Sequence, residues 1–140
     1  MPVKRLTVSQ VEGIAYKLAQ EMLKWDEPIP EFGSRFPGVL ESCLAVPFQS
    51  FGGQPAYDGL VAQAAILFYL MIKNHPFING NKRLAMTTML CLLHINGKWL
   101  RVEVNNFYLF TRRVAQSEAR AKNQTIVSVT DFIGKFLVEA

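Results

Sequence analysis

Cysteine is scarce in this chain, which has only Cys43 and Cys91. Two cysteines exclude both a disulfide framework and a zinc-type cluster of cysteines. No uncharged apolar run reaches the length that spans a bilayer, and the first ten residues lack the apolar region of a secretory signal. We therefore expect a cytoplasmic protein with reduced thiols and no membrane contact.

Charged residues are also few, at 19% of the chain, whereas 50% of the residues are hydrophobic. This balance excludes an intrinsically disordered protein, because enough apolar surface can be buried to offset the entropy of folding. A length of 140 residues is typical of one domain, so we expect residues 1–140 to fold as a single unit.

The charges are unevenly distributed along the chain. Residues 1–70 carry five Lys and Arg against seven Asp and Glu, whereas residues 71–140 carry ten against four. A basic half is typical of proteins that bind nucleic acid, an acidic protein or a phosphorylated ligand, but it is also typical of a simple solvated face. The charge distribution alone leaves these alternatives open.

Hydrophobic spacing predicts an all-α fold of about six helices. The first covers residues 8–25, with Ser9 and Glu12 as a capping box. Its apolar stripe consists of Val8, Val11, Ile14, Ala15, Leu18, Met22 and Trp25. Five more are predicted: from near Pro37 to Leu44, over 59–73 with Asp58 as its cap, from about Asn81 to Ile95, from Asn105 or Asn106 to about Glu118, and from Ser128 to Val138. Residues 47–57 are predicted as a loop or hairpin, and 98–104 as a β-like connector without enough strand signals for a sheet.

The segment NHPFINGNKR, residues 74–83, is unusually polar for a connection between two apolar helices. The N–H groups that open the second of these helices form a ready anion site. Lys82 and Arg83 are unfavourable there against the helix dipole. A bound anion such as a polyphosphate would resolve this conflict, so the segment predicts a phosphate-binding helix N-terminus.

His75 lies at the start of this segment and is a candidate general base. Its ordinary pKa, near 6.5, leaves the neutral form available at cytoplasmic pH. The alternative is a histidine that only caps or packs, which is our interpretation of His94 in its apolar helix. Cys43 and Cys91, also in apolar helical contexts, are interpreted as packing residues.

The stretch from His75 to Arg83 resembles the signature loop of the Fic/Doc superfamily, H-x-F-x-[D/E]-G-N-G-R-x-x-R. The resemblance covers roughly residues 35–100. Lys82 replaces the second glycine and Met86 the distal arginine, as in the Doc (death-on-curing) branch. Asn79 replaces an acidic residue that binds Mg²⁺, and the loss of charge should weaken metal binding.

The resemblance implies a compact all-α bundle with a short flap hairpin within residues 47–56, where a target protein docks. It also implies roles for the loop residues. These are proton abstraction from a target hydroxyl by His75, anchoring of the loop by Phe77, metal contact by Asn79, an anion hole formed by Gly80, Asn81 and Lys82, and neutralisation of phosphate charge by Arg83.

The Doc branch implies a toxin that transfers the γ-phosphate of ATP to a hydroxyl of a protein target and so inhibits translation, with elongation factor Tu as the precedent. ATP would be the co-substrate and Mg²⁺ the metal cofactor. Two alternatives stay open: a Fic-type transferase that attaches AMP, and a nucleotide-binding protein whose catalysis is impaired by Asn79.

The resemblance further implies an inhibitor of the form [S/T]-x-x-x-E-[G/N], within the chain or on a partner. The nearest internal match is Glu12-Gly13, but Val8 stands at the hydroxyl position. We therefore expect a separate antitoxin that docks on this domain, for example as a helix in a groove. No nucleic-acid recognition motif accompanies the basic half.

Overall fold

Residues 2–140 are described by the computed structural model, and 63% of the chain is helical. The six main helices are α1 (residues 8–21), α2 (Val39–Ala45), α3 (Leu60–Asn74), α4 (Asn81–Ile95), α5 (Val104–Gln116) and α6 (Lys122–Phe136). The strands are β1 (Ser50–Phe51), β2 (Gln54–Pro55), β3 (Lys98–Leu100) and β4 (Leu137–Glu139). The prediction of an all-α bundle with a short hairpin is confirmed.

Helix α1 is continuous but changes winding: Val8–Gln10 and Tyr16–Glu21 are α-helical, and Val11–Ala15 is a π-helical turn. Its capping box is Thr7 with Gln10, so the predicted pair of Ser9 and Glu12 is wrong by two residues. Val11, Ala15 and Ala19 are buried four residues apart, whereas Ile14, predicted on the apolar stripe, is exposed.

The end of α1 also differs from the prediction. The helix stops at Glu21 rather than near Trp25, and Leu23 adopts a left-handed backbone with φ of 47°. A second short helix, α2, begins after Gly38 rather than at Pro37, because Gly38 takes the left-handed conformation that ends the preceding turn.

The centre of the fold is the helix pair α3 and α4. Nine of the 15 residues of α3 and twelve of the 15 residues of α4 are buried. An apolar surface on all sides is what a helix surrounded by other elements requires. The predicted bounds of α4 match the structure, and α3 begins after Gly59 rather than at the predicted cap Asp58.

Between α2 and α3 lies the hairpin β1–β2, in which Ser50 pairs with Pro55 and Phe51 with Gln54. It falls within the predicted loop or hairpin at 47–57. Both strands are exposed, and Phe51 is among the most exposed apolar residues of the described chain.

The C-terminal part differs most from the prediction. Helix α5 begins after Glu103, and α6 runs from Lys122 to Phe136, so the predicted start at Ser128 is wrong. The Ser128 hydroxyl bonds back to the carbonyl of Gln124 inside the helix, as mid-helix serines do. Residues 137–139 leave the helix as β4 and pair antiparallel with β3, a pairing that the connector at 98–104 did not reveal.

Within the described residues, no helix combines the length and the apolarity needed to cross a membrane. Cys43 and Cys91 are both free and buried. Burial raises the pKa of the Cys43 thiol to about 11 and raises the pKa of the Cys91 thiol as well. Neither side chain is a reactive nucleophile at neutral pH, in accord with their interpretation as packing residues.

The cap of α1 gives a direct test of its start. The Thr7 hydroxyl accepts the Gln10 N–H at 3.1 Å, so Thr7→Ala should lower the free energy of unfolding by about 1 kcal/mol. Ser9→Ala is the matched control and should change it by less than about 0.5 kcal/mol, since it removes no cap. Urea unfolding followed by circular dichroism measures both. Equal losses for the two variants would contradict the assigned cap.

Candidate functional site

His75 lies at the C-terminal end of α3, where the chain turns into the loop 75–80. Its backbone is left-handed, with φ of 49° and ψ of 66°, which is uncommon for a residue other than glycine. Strained backbone of this kind persists only where surrounding contacts fix it, and it is common at functional sites. The side chain is exposed and so accessible to a second molecule.

Two residues hold the loop in place. Phe77 is fully buried and packs against Phe32 with 5.8 Å between ring centroids. The Asn81 amide bonds to both main-chain groups of Phe77: its oxygen accepts the N–H at 3.0 Å, and its nitrogen donates to the carbonyl at 2.7 Å. The Asn81 side chain is therefore an internal brace of the loop, and its burial leaves only its main-chain N–H for an anion.

The same amide reaches the imidazole of His75, with 3.4 Å between Asn81 Nδ2 and His75 Nδ1. Because an amide NH₂ only donates, this contact makes Nδ1 the acceptor and places the proton of the neutral ring on Nε2. Through this contact, the amide that braces the loop also orients the imidazole of His75.

Gly80 is required between the loop and α4. Its φ is 76°, and a Cβ at this position would lie 2.5 Å from the Cδ1 atom of Ile29. The left-handed backbone strains any L side chain at this position, and a Cβ would also displace the end of the Ile29 side chain. The segment around Ile29 thus lies directly over the start of α4.

The N-terminus of α4 has the features of an anion site. Among residues 2–140, the N–H groups of Asn81, Lys82 and Arg83 have no acceptor, as is usual for the first turn of a helix. The Lys82 side chain is half-buried and, in the described chain, forms no ion pair. Unbonded N–H groups beside a lysine can bind a phosphate.

Glu27 was not identified from the sequence, yet it lies at this site. Its Oε1 atom accepts the N–H of Gly80 at 2.9 Å. A carboxylate near a helix N-terminus is stabilised by the helix dipole. The same negative charge opposes the binding of a phosphate to the neighbouring N–H groups.

The structure buries the Arg83 side chain against the end of α1 and the turn that follows it, so that only the main-chain N–H of Arg83 faces the anion site. Its side chain is only 2% exposed, and it donates to the carbonyl oxygens of Ala19 at 3.1 Å, Met22 at 2.8 Å and Glu27. Asp26 lies 3.8 Å from its Nε atom. To contact a phosphate through its side chain, Arg83 would have to leave all of these partners.

Asp26 links the buried Arg83 side chain to α5. Its Oδ1 atom accepts the Tyr108 hydroxyl at 3.0 Å. Burial, together with the Asp26 carboxylate, raises the pKa of Tyr108 to about 12. Tyr108 is therefore a hydroxyl donor throughout the physiological range. Asp26 accepts this hydrogen bond from α5 and forms an ion pair with Arg83 of α4.

The remaining predicted positions are Asn79 and Met86. Asn79 is half-buried with no hydrogen-bond partner among the described side chains, so its amide oxygen is available to a ligand. Met86 is fully buried on α4. In the part of the chain that is described, no group of three or more His, Cys, Asp or Glu could hold a metal.

A cavity of about 800 Å³ lies near the C-terminal end of α4 and is lined in part by Cys91, His94 and Trp99. His94 is at the C-terminal end of α4, whereas the candidate site is at the N-terminal end. The 15 residues of α4 span roughly 22 Å. The cavity is therefore separate from His75.

Comparisons with known proteins agree with the geometry. The model of the Fic/DOC family matches residues 5–93. Toxin Doc of Mycolicibacterium smegmatis is 36% identical over 66 residues, which are 47% of this chain and 51% of that protein. The match thus spans about half the length of this relative. No solved structure matches.

The position of Glu27 leads to a prediction about anion binding. Glu27→Gln keeps an acceptor for the Gly80 N–H but removes the charge, so it should tighten the binding of inorganic pyrophosphate roughly two- to tenfold. Glu31→Gln, a nearby exposed glutamate, is the matched control and should change it little. Isothermal titration calorimetry at low salt measures both. An unchanged affinity in Glu27→Gln would show that pyrophosphate binds away from Gly80.

Proposed function

This chain belongs to the Fic/DOC family, and from that premise we propose that it is a Doc-like toxin that transfers the γ-phosphate of ATP to a hydroxyl of a protein target. The observation that supports this best is the placement of His75. An exposed imidazole is held, through Asn81, beside free N–H groups at the start of α4. A base next to an anion site is what group transfer from a polyphosphate to a hydroxyl requires.

In the proposed reaction, the terminal phosphate binds at the N–H groups of Asn81 and Lys82, and the Lys82 ammonium offsets its charge. His75 takes the proton of the target hydroxyl. The hydroxyl oxygen forms a bond to the γ-phosphorus while the bond from that phosphorus to the bridging oxygen breaks, and ADP leaves. Catalysis of this kind depends mainly on positioning and on charge stabilisation.

A Mg²⁺ ion carried on the nucleotide phosphates fits the residues present. Such an ion needs only one or two protein oxygens, because phosphates and water supply its other ligands. The unbonded amide oxygen of Asn79 is one candidate ligand, and the second oxygen of Glu27 is another. When bound, the ion would offset negative charge on the transferred group.

Two residues favour phosphate transfer over AMP transfer. Lys82 adds bulk and charge where the AMP-transferring pattern has glycine, and Met86 is packed inside the bundle where that pattern has a second arginine. Met86→Arg would bury an unpaired charge and should not be used to test this point. Lys82→Gly alone is the appropriate variant.

The cellular role proposed here follows the Doc branch. We propose elongation factor Tu as the target to test, inhibition of translation as the consequence, and a separate antitoxin as the partner. The exposed hairpin β1–β2 is the proposed docking element for the target.

The reaction is tested with ATP labelled on either the α- or the γ-phosphate, using elongation factor Tu and whole lysate as acceptors. We expect transfer of the γ label only. His75→Ala should lower the rate about 10²–10⁴-fold because it removes the general base. His94→Ala, which removes the other exposed histidine, should leave the rate unchanged. Transfer of the α label by the unmodified protein would indicate AMP transfer, and absence of both labels would indicate a binding protein.

Asn79 can be tested through metal dependence. Asn79→Asp adds a full charge where the amide offers only a dipole, so it should lower the Mg²⁺ concentration needed for half-maximal ATP binding. Asn74→Asp, at an exposed position one residue before the loop, controls for charge alone. A metal dependence that does not change in Asn79→Asp would show that residue 79 does not face the metal.

A further inference from the structure

Trp25 is 69% exposed, although the hydrophobic pattern predicts it on the apolar stripe of α1. The helix ends four residues earlier, so the indole lies in the turn that follows. The other tryptophan, Trp99, is half-buried at the opposite end of α4. Single exposed apolar side chains are common on protein surfaces, so a role for Trp25 has to rest on its surroundings.

The turn that carries Trp25 also reaches the anion site. Glu27, two residues further on, contacts the Gly80 N–H through its carboxylate. Two residues span at most about 7 Å. The backbone of Trp25 therefore lies no more than about 7 Å from that of Glu27, the residue that contacts the start of α4.

The indole is also held in a fixed place. It contacts Tyr108 edge to face, with 5.2 Å between centroids and 79° between the ring planes. Tyr108 is buried, and its hydroxyl is bonded to Asp26. Because these partners are fixed by the core, the exposed indole is pre-organised and loses little entropy when it is covered.

Charges of both signs lie near Trp25. Lys24, its neighbour, has a largely exposed side chain that pairs with Glu21 at 3.5 Å, and Arg112 lies close enough to lower the pKa of Tyr108 against the effect of burial. Asp26 and Glu27 follow in the chain, and Arg83 lies 3.8 Å from the Asp26 carboxylate. Lys82, which forms no ion pair among residues 2–140, is the cation that can meet the phosphates of a ligand whose aromatic ring lies on Trp25.

We propose that Trp25 is the stacking platform for the base of the nucleotide whose phosphates bind at the N-terminus of α4. This inference rests on the proposed function and adds the residue that recognises the base. Stacking on an indole accepts any base, so Trp25 contributes affinity for a nucleotide over a bare polyphosphate without selecting among bases.

The test uses the intact protein with the substitution Trp99→Phe, so that Trp25 is the only tryptophan. Its fluorescence is titrated with ATP and with inorganic tripolyphosphate, each with Mg²⁺. ATP should quench the emission, and tripolyphosphate should bind in calorimetry without comparable quenching. Binding of both ligands with equal affinity and no quenching by ATP would overturn the stacking inference and leave the phosphate site intact.

Substitution of Trp25 itself gives a second measurement. Trp25→Ala should weaken ATP binding about 5- to 150-fold, which is the range for loss of one base–aromatic stack. It should leave tripolyphosphate binding unchanged, and Trp25→Phe should restore most of the ATP affinity. Equal loss for both ligands would overturn the inference in favour of a structural role. Failure of the unmodified protein to bind either ligand would overturn the proposed function and the inference with it.

Discussion

The buried guanidinium of Arg83 is the interaction on which the arrangement of the site depends. An isolated charge in a protein interior is costly, and it is tolerated only where hydrogen bonds satisfy it. Here three main-chain carbonyls from the end of α1 and the turn after it supply those bonds. Carbonyls at a helix C-terminus lack partners within the helix and favour a cation. Arg83 therefore fixes where α1 ends and where the following turn lies.

The hydrogen bonds from Arg83 to the end of α1 and the following turn, together with the loop 75–80, define the geometry of the site. From one side, Phe77 and the Asn81 amide fix the loop in the core. From the other side, the turn held by Arg83 brings Glu27 to the N–H of Gly80 and Ile29 over its Cα. The N–H groups at the start of α4 are thus rigidly placed before any ligand arrives, which is the condition for electrostatic stabilisation without reorganisation. His75 remains the exposed group at the edge of this frame.

The features that could be predicted from the sequence are those determined by short, continuous stretches of residues. The central helices were found because their apolar residues run without interruption, and the loop at 74–83 because its polarity breaks that run. The direction of the Arg83 side chain could not be predicted, since its partners at Ala19, Met22 and Glu27 are distant in sequence. The pairing of β3 with β4 is equally non-local. The π-helical turn of α1 was missed because the apolar spacing fits an ordinary helix.

The acidic and the basic halves of the sequence meet in the structure at the start of α4. Asp26 and Glu27 belong to the acidic half of the chain, whereas Lys82 and Arg83 belong to the basic half, and these residues meet at the start of α4. Part of the excess positive charge of residues 71–140 is therefore buried inside the fold. Fewer positive charges are available to a partner than the net charge of these residues suggests. The Arg83 side chain is hydrogen-bonded to carbonyls of the protein itself. Lys82, which has no ion-pair partner within residues 2–140, is the cation of this cluster that remains available for an incoming phosphate.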